Sequence, residues 1–142
     1  MTIEDKLFAA PEGFSEIPGP SQYSVLIGPI YQKDSDPYRC RAIRLQPKHA
    51  NNAGIVHGGM LMALADTVMG SAARGVTGVP SVTVRMTTDF AGPGRIGDWL
   101  VATGTVSRET RTLTFVTAEL RAKHRLVMTA SGVFRKIERH NA

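Results

Sequence analysis

With one cysteine among 142 residues, the chain cannot form an internal disulfide, and the reducing cytoplasm is its expected compartment. Aromatic residues make up only 6% of it, including a single tryptophan, which leaves little for stacking nucleic-acid bases. A long hydrophobic run is missing too. The longest apolar stretch, from Met60 to Ala73, is interrupted by Asp66 and falls short of the roughly 20 residues that a membrane-spanning helix needs. The opening residues, Met1-Thr-Ile-Glu-Asp-Lys-Leu-Phe8, place two acids where a secretory leader needs a basic and then an apolar segment, so neither secretion nor membrane insertion is expected. His49, His57, His124 and His140 show no ligand-like spacing with cysteine or acids. No glycine-rich phosphate loop follows a strand, and no G-x-S-x-G occurs. No metal and no cofactor are therefore expected. Cys40 sits in strand-like sequence without a partner base and reads as a small packing residue, not a nucleophile.

What is there is ordinary globular composition, 42% hydrophobic and 20% charged, in a length that suits one core. A single domain over 1–142 is expected, with residues 1–20 as an irregular lead-in. That lead-in holds one short helix at 2–9, followed by Pro11, Gly13, Pro18, Gly19 and Pro20. The net charge of +5 and pI of about 9.8 favour anionic partners. Arginines 39, 41, 44, 108, 111, 121, 125 and 135 are spread along strand-like segments and do not cluster on a helix. A phosphate-bearing small ligand fits this better than nucleic acid.

Apolar spacing then divides the chain. Tyr23 to Tyr31 and Tyr38 to Leu45 read as two strands joined by a turn at Asp34-Ser-Asp-Pro37, and Gln46 to Gly54 as a loop. From about His57 to Arg74, Leu61, Leu64, Ala65, Val68, Met69 and Ala72 recur at helical spacing, and Met60, Met62 and Ala63 make the other side apolar as well. This helix is expected to be buried nearly all round and to end at Gly75, Gly78 and Pro80. Period-two alternation follows from Ser81 to Phe90, and three more strand-like runs lie at about Asp98 to Arg108, Thr112 to Lys123 and Arg125 to Ile137. Two strands, one helix and four strands with short connections predict an α+β fold, a curved antiparallel sheet of about six strands wrapped around one long helix.

The segment Asn51-Asn-Ala-Gly54-Ile-Val-His57-Gly58-Gly59-Met-Leu-Met-Ala-Leu-Ala-Asp66 resembles the N-x-x-G-x-x-H-G-G-x-x-x-x-x-x-D signature of hotdog-fold thioesterases of the phenylacetate-degradation type. The likeness continues through Ser81-Val-Thr83-Val and Asp89-Phe-Ala-Gly-Pro93-Gly-Arg-Ile-Gly97 and covers roughly residues 40 to 137. It implies the hotdog fold and hydrolysis of an aryl- or medium-chain acyl-CoA. It also implies a homodimer, with a dimer of dimers as the larger assembly.

Independently of any family, a helix start offers backbone N–H groups without intrahelical partners and a positive dipole end. Gly58 and Gly59, lacking Cβ atoms, would present these to a developing oxyanion; their plainer reading is a tight loop-to-helix junction. Asp66 is a carboxylate on an otherwise apolar helix, a placement that costs desolvation unless hydrogen bonds or an opposite charge offset it, and such residues are often functional. It reads as a base that activates water or as a nucleophile that forms an anhydride. Gly58 and Asp66 lie eight positions apart, about 12 Å of helix axis at roughly 1.5 Å per residue. One thioester carbon is not served by both on a single helix, whereas two antiparallel copies would bring Gly58 of one subunit to Asp66 of the other.

The resemblance places Asn51 and His57 beside the thioester, against plainer roles as a loop cap and a structural imidazole. It aligns Thr83 with a water-holding serine. Gly59 and Met60 are expected to line the substrate site, with Leu61, Leu64 and Phe90 around the acyl group. Arg108 and Arg111, with Arg121, Lys123 and Arg125 as further candidates, would meet the CoA phosphates. Two other readings keep the fold: an acyl-thioester dehydratase or hydratase, disfavoured because no histidine follows Asp66 on the helix, and a non-catalytic acyl-CoA-binding module, for which the lead-in is too short to carry a DNA-binding unit.

Overall fold

The computed structural model describes residues 9–137. The expected helix at 2–9 lies outside these, apart from Ala9. In chain order the elements are β1 (Phe14–Glu16), α1 (Gln22–Ile27), β2 (Ile30–Lys33), β3 (Asp36–Arg44), a 3-10 turn (Pro47–His49), α2 (Gly58–Thr77), β4 (Ser81–Phe90), β5 (Trp99–Glu109), β6 (Leu113–Ala122) and β7 (Arg125–Lys136). The strands form one antiparallel sheet in the order β1-β2-β3-β5-β6-β7-β4. This is the predicted hotdog arrangement with one strand more than expected.

Two local expectations fail. Residues 1–20 are not wholly irregular: Phe14, Ser15 and Glu16 pair with Lys33, Gln32 and Tyr31, and Ile17 N–H donates to the Ile30 carbonyl at 3.0 Å. A three-residue edge strand is too short to leave a periodic signal. Tyr23 to Tyr31 is not one strand. Its first part is helix α1, because the Ser21 hydroxyl accepts the Ser24 N–H at 3.1 Å and caps a turn that Gly28-Pro29 then ends. Local capping outweighs the strand preference of the Val and Ile residues, and Tyr23, Val25 and Leu26 are left exposed.

Helix α2 runs three residues past Arg74 and stops where Gly78, at φ 73, takes the left-handed conformation and donates to the Arg74 carbonyl. Its face of Leu61, Leu64, Ala65, Val68, Met69, Ala72 and Ala73 is almost solvent-free. It packs on Ile43, Leu45, Leu100, Val116, Leu120, Met128 and Phe134 from the sheet. Removing a leucine such as Leu64 from water stabilises the fold by about 1.5 to 3 kcal/mol. Burial all round is not found, however. Met62, Ala63, Asp66, Thr67, Gly70 and Ser71 are only half-buried, and they form the side of the helix turned away from the sheet core.

Strand β4 closes one edge of the sheet. A bulge between Thr83 and Arg85 interrupts its pairing with β7, and Val82 and Val84 are both exposed, at 49% and 60%.

Helix and sheet approach closely at Gly104 on β5, where a Cβ would stand 2.9 Å from the Val68 carbonyl oxygen and 3.0 Å from the Ala72 Cβ. Both neighbours belong to the helix body and cannot swing away. Gly104→Val is therefore expected to destabilise the protein by about 2 kcal/mol through overpacking, read as a lower urea midpoint at unchanged m-value.

Candidate active site

The loop before α2 folds back on itself. His57 N–H donates to the His49 carbonyl (2.7 Å), Ala50 bridges to Val56, and Asn51 N–H donates to the Ile55 carbonyl (2.7 Å). The Asn51 Oδ1 accepts from the N–H groups of Ala53 (2.9 Å) and Ile55 (3.4 Å), so its carbonyl end caps this loop. His57 is the N-cap of α2, and its Nδ1 accepts the Gly59 N–H at 2.8 Å. That contact occupies one of the two glycine donors. The Gly58 N–H has no partner among the described residues, and it lies beside Phe90, whose ring would stand 3.2 Å from a Cβ at that position. The helix start thus presents one free, dipole-enhanced donor next to an exposed aromatic ring.

Asp66 sits two turns along the half-buried side of α2. Thr83 Oγ1 donates to its Oδ1 at 2.5 Å, linking the helix to the edge strand. The carboxylate is neither sealed in the core nor fully solvated, and its second oxygen has no partner among the described residues. A short hydroxyl-to-carboxylate bond fixes the carboxylate's orientation and leaves one oxygen to accept a proton.

Within one protomer the other expected residues are spread more widely. Met60 is 7% exposed, and it, Leu61 and Leu64 belong to the core, whereas Phe90 is 54% exposed. Periodicity places Met60 on the helix but does not say which side the sheet takes. Arg108 and Arg111 are exposed on the β5–β6 hairpin, at the sheet end where Lys136 pairs with Ser81; this is the end reached by the C-terminus of α2, remote from Gly58. Cys40 is half-buried with its Sγ 3.7 Å from Thr103 Oγ1. No group of three or more His, Cys, Asp or Glu able to hold a metal ion occurs among the described residues. No helix among them is long and apolar enough to cross a membrane.

His49 is a residue whose part in the site the sequence did not disclose. It is 3% exposed, its Nδ1 accepts the Gln46 N–H (2.9 Å), and its Nε2 meets the Ile27 carbonyl (2.6 Å). With its own carbonyl holding His57, this imidazole ties α1 to the loop that starts α2. Only its immediate Pro-x-His turn is local, so no pattern in the sequence marks it.

The fold defines a class, the hotdog-fold thioester hydrolases. The chain belongs to the thioesterase superfamily, whose family model matches residues 53–129. A Pseudomonas aeruginosa protein assigned as an esterase is 38% identical over 127 residues, 87% of this chain and 95% of that one. Acyl-coenzyme A thioesterase 13 of Mus musculus is 29% identical over 91 residues, 63% of this chain and 65% of its own length. Among solved structures, the PaaI protein of the E. coli phenylacetic acid degradation operon superposes with a TM-score of 0.67 at 27% identity, over 70% of this chain and 72% of that one. The chain is a PaaI-like thioester hydrolase.

Burial holds the His49 imidazole below its ordinary pKa; the Ile27 carbonyl opposes this and Lys48 adds to it. The unfolded chain therefore takes up a proton at higher pH than the folded one. Stability is complete above the ordinary value of about 6.5 and is lost as pH falls below it. Chemical denaturation at pH 7.5 and pH 5.5 should show this loss for the wild type, and His49→Gln should show a smaller one.

Proposed function

We propose that the protein hydrolyses acyl-CoA, with Asp66 as the general base and the Gly58 N–H of a partner copy as the donor that polarises the thioester carbonyl. The observation that carries this reading is the Thr83–Asp66 hydrogen bond on the open side of α2. It orients a carboxylate toward a surface instead of into the core. Asp66 would take a proton from water as the water oxygen bonds to the carbonyl carbon. The oxyanion would be met by Gly58, with the Asn51 amide nitrogen as a second donor. Collapse would then break the C–S bond and release the thiolate of coenzyme A. Thr83 would hold the carboxylate and the attacking water, and His57 would set the angle of the helix start.

The helix geometry supports a dimer. Eight residues, or about 12 Å of axis, separate Gly58 from Asp66 in one chain. β4, the last strand in the sheet, exposes Val82 and Val84 on either side of Thr83, the partner of Asp66, and Phe90 beside Gly58, and its outer edge is unpaired among the described residues. A second copy set antiparallel would bury this edge and complete two composite sites, and dimers of that kind could pair again as tetramers. Water activation, in place of an anhydride on Asp66, is favoured by Thr83, whose hydroxyl donates to the carboxylate and keeps lone pairs that can accept from a water beside it. The free thiol of Cys40 suits a cytoplasmic enzyme.

Asp66→Asn should lower kcat for acyl-CoA hydrolysis by about a thousandfold, within the range for a lost general base and its field, with fold and oligomeric state unchanged. An unaltered rate would refute the assignment. Thr83→Ser should keep most of the activity and Thr83→Val should lose about tenfold or more, measured as kcat at saturating substrate. Sedimentation beside the assay should find the activity only in dimers or larger species.

A further inference from the structure

On the β1–β2 side of the sheet, at the far end of the strand order from β4, there is a cavity of about 360 Å³ between the lead-in, α1 and the turn before α2. Its volume falls within the roughly 300 to 1,000 Å³ usual for small-ligand sites. Ile17, Pro20, Val25 and Ile30 form an apolar wall, and Val25 is exposed there. Lys48 is the single cation of the lining and Glu16 the single acid. None of the lining residues belongs to α2 or β4.

A lysine at a protein surface ordinarily keeps its ammonium in water. Lys48 instead holds its Nζ 2.6 Å from the carbonyl oxygen of buried Gly28, at the cavity, and Gln46 Nε2 donates to the same oxygen at 3.4 Å. Ordering so long a side chain has an entropic cost, and no carboxylate offsets it, since Lys48 forms no ion pair among the described residues. Glu16 is exposed and does not pair with it. Two of the three ammonium donors are left for a further acceptor. The cavity also adjoins the loop that sets Gly58: Gln46 N–H donates to His49 Nδ1 at 2.9 Å, and the His49 carbonyl accepts the His57 N–H at 2.7 Å.

We infer that this cavity binds a small organic acid with an apolar body, its carboxylate on the Lys48 ammonium and its hydrocarbon against Ile17, Val25 and Ile30. An apolar wall beside one pinned, unneutralised cation selects that combination: the carboxylate gains a charge-assisted hydrogen bond, and the hydrocarbon removes apolar surface from water. Acids released by acyl-CoA hydrolysis are of this class, so the enzyme's own product is the expected occupant. That identification rests on the acyl-CoA reading above, whereas the site does not. An acyl-CoA has no free carboxylate on its acyl carbon, so the site would distinguish product from substrate.

Amide NMR spectra of the intact protein titrated with sodium octanoate test this without any turnover. Saturable shifts are expected at Gly28, Ile30, Gln46 and Lys48. Acetate, which lacks the hydrocarbon, and n-octanol, which lacks the charge, should each bind about tenfold or more weakly. Lys48→Met keeps the aliphatic stem and should weaken octanoate binding about tenfold, as for a lost charge-assisted contact. Val25→Glu should weaken it as well, by setting a like charge on the apolar wall. Both replaced side chains are exposed, and an otherwise unchanged spectrum checks that each variant is folded. No shifts at these amides in the wild type, shifts confined to residues 57–66 and 83–90, equal binding of n-octanol, or full affinity in either variant would overturn the inference. Failure of the wild type to hydrolyse acyl-CoA, with the octanoate shifts retained, would instead overturn the acyl-CoA reading and leave the site standing.

Discussion

A carboxylate on a helix that is otherwise apolar has to be met by a donor, and in this protein the donor is Thr83, on the strand that follows the helix. This one bond links α2 to β4, sets the direction of Asp66, and explains why the helix is not enclosed on every side. The sheet covers the leucine, alanine and valine face completely. The opposite side has to stay accessible if the acid is to meet a substrate. Closing it with further apolar packing would strand a charge away from water.

The helix start is organised on the same principle of satisfying or exposing polar groups. His57 takes the Gly59 N–H, the 49–57 loop satisfies its own backbone, and the Gly58 N–H is left over. A free donor at the positive end of a 20-residue helix is a fixed electrostatic feature, in place before any substrate arrives. Rigidity comes from His49, whose two ring nitrogens and carbonyl join three separate stretches of chain.

The thioesterase superfamily match and the superposition on PaaI agree with the order of elements read from hydrophobic spacing. Five of the seven strands and the long helix were legible because each is long enough to show its period, 3.6 for α2 and two for β5 and β6, whereas β2, four residues long, was met only at Ile30 and Tyr31. β1 and α1 were not. The first is three residues long, and the second is decided by a serine cap and a Gly-Pro stop, which override the residue preferences around them.

The candidate site divides along the same line. The sequence by itself determined that an acid lies on an apolar helix eight residues beyond a glycine pair, because helical rise and side-chain chemistry are local properties. Only the tertiary structure decided that Met60 faces the core, that Arg108 and Arg111 stand away from Gly58, and that Thr83, seventeen residues from Asp66, reaches it. It alone brought Ile17, Val25 and Lys48 around one cavity. Which side of a helix is covered, and which distant side chains meet, depends on how the sheet curls around it, and that is settled by packing across the whole chain and not by any local run of residues.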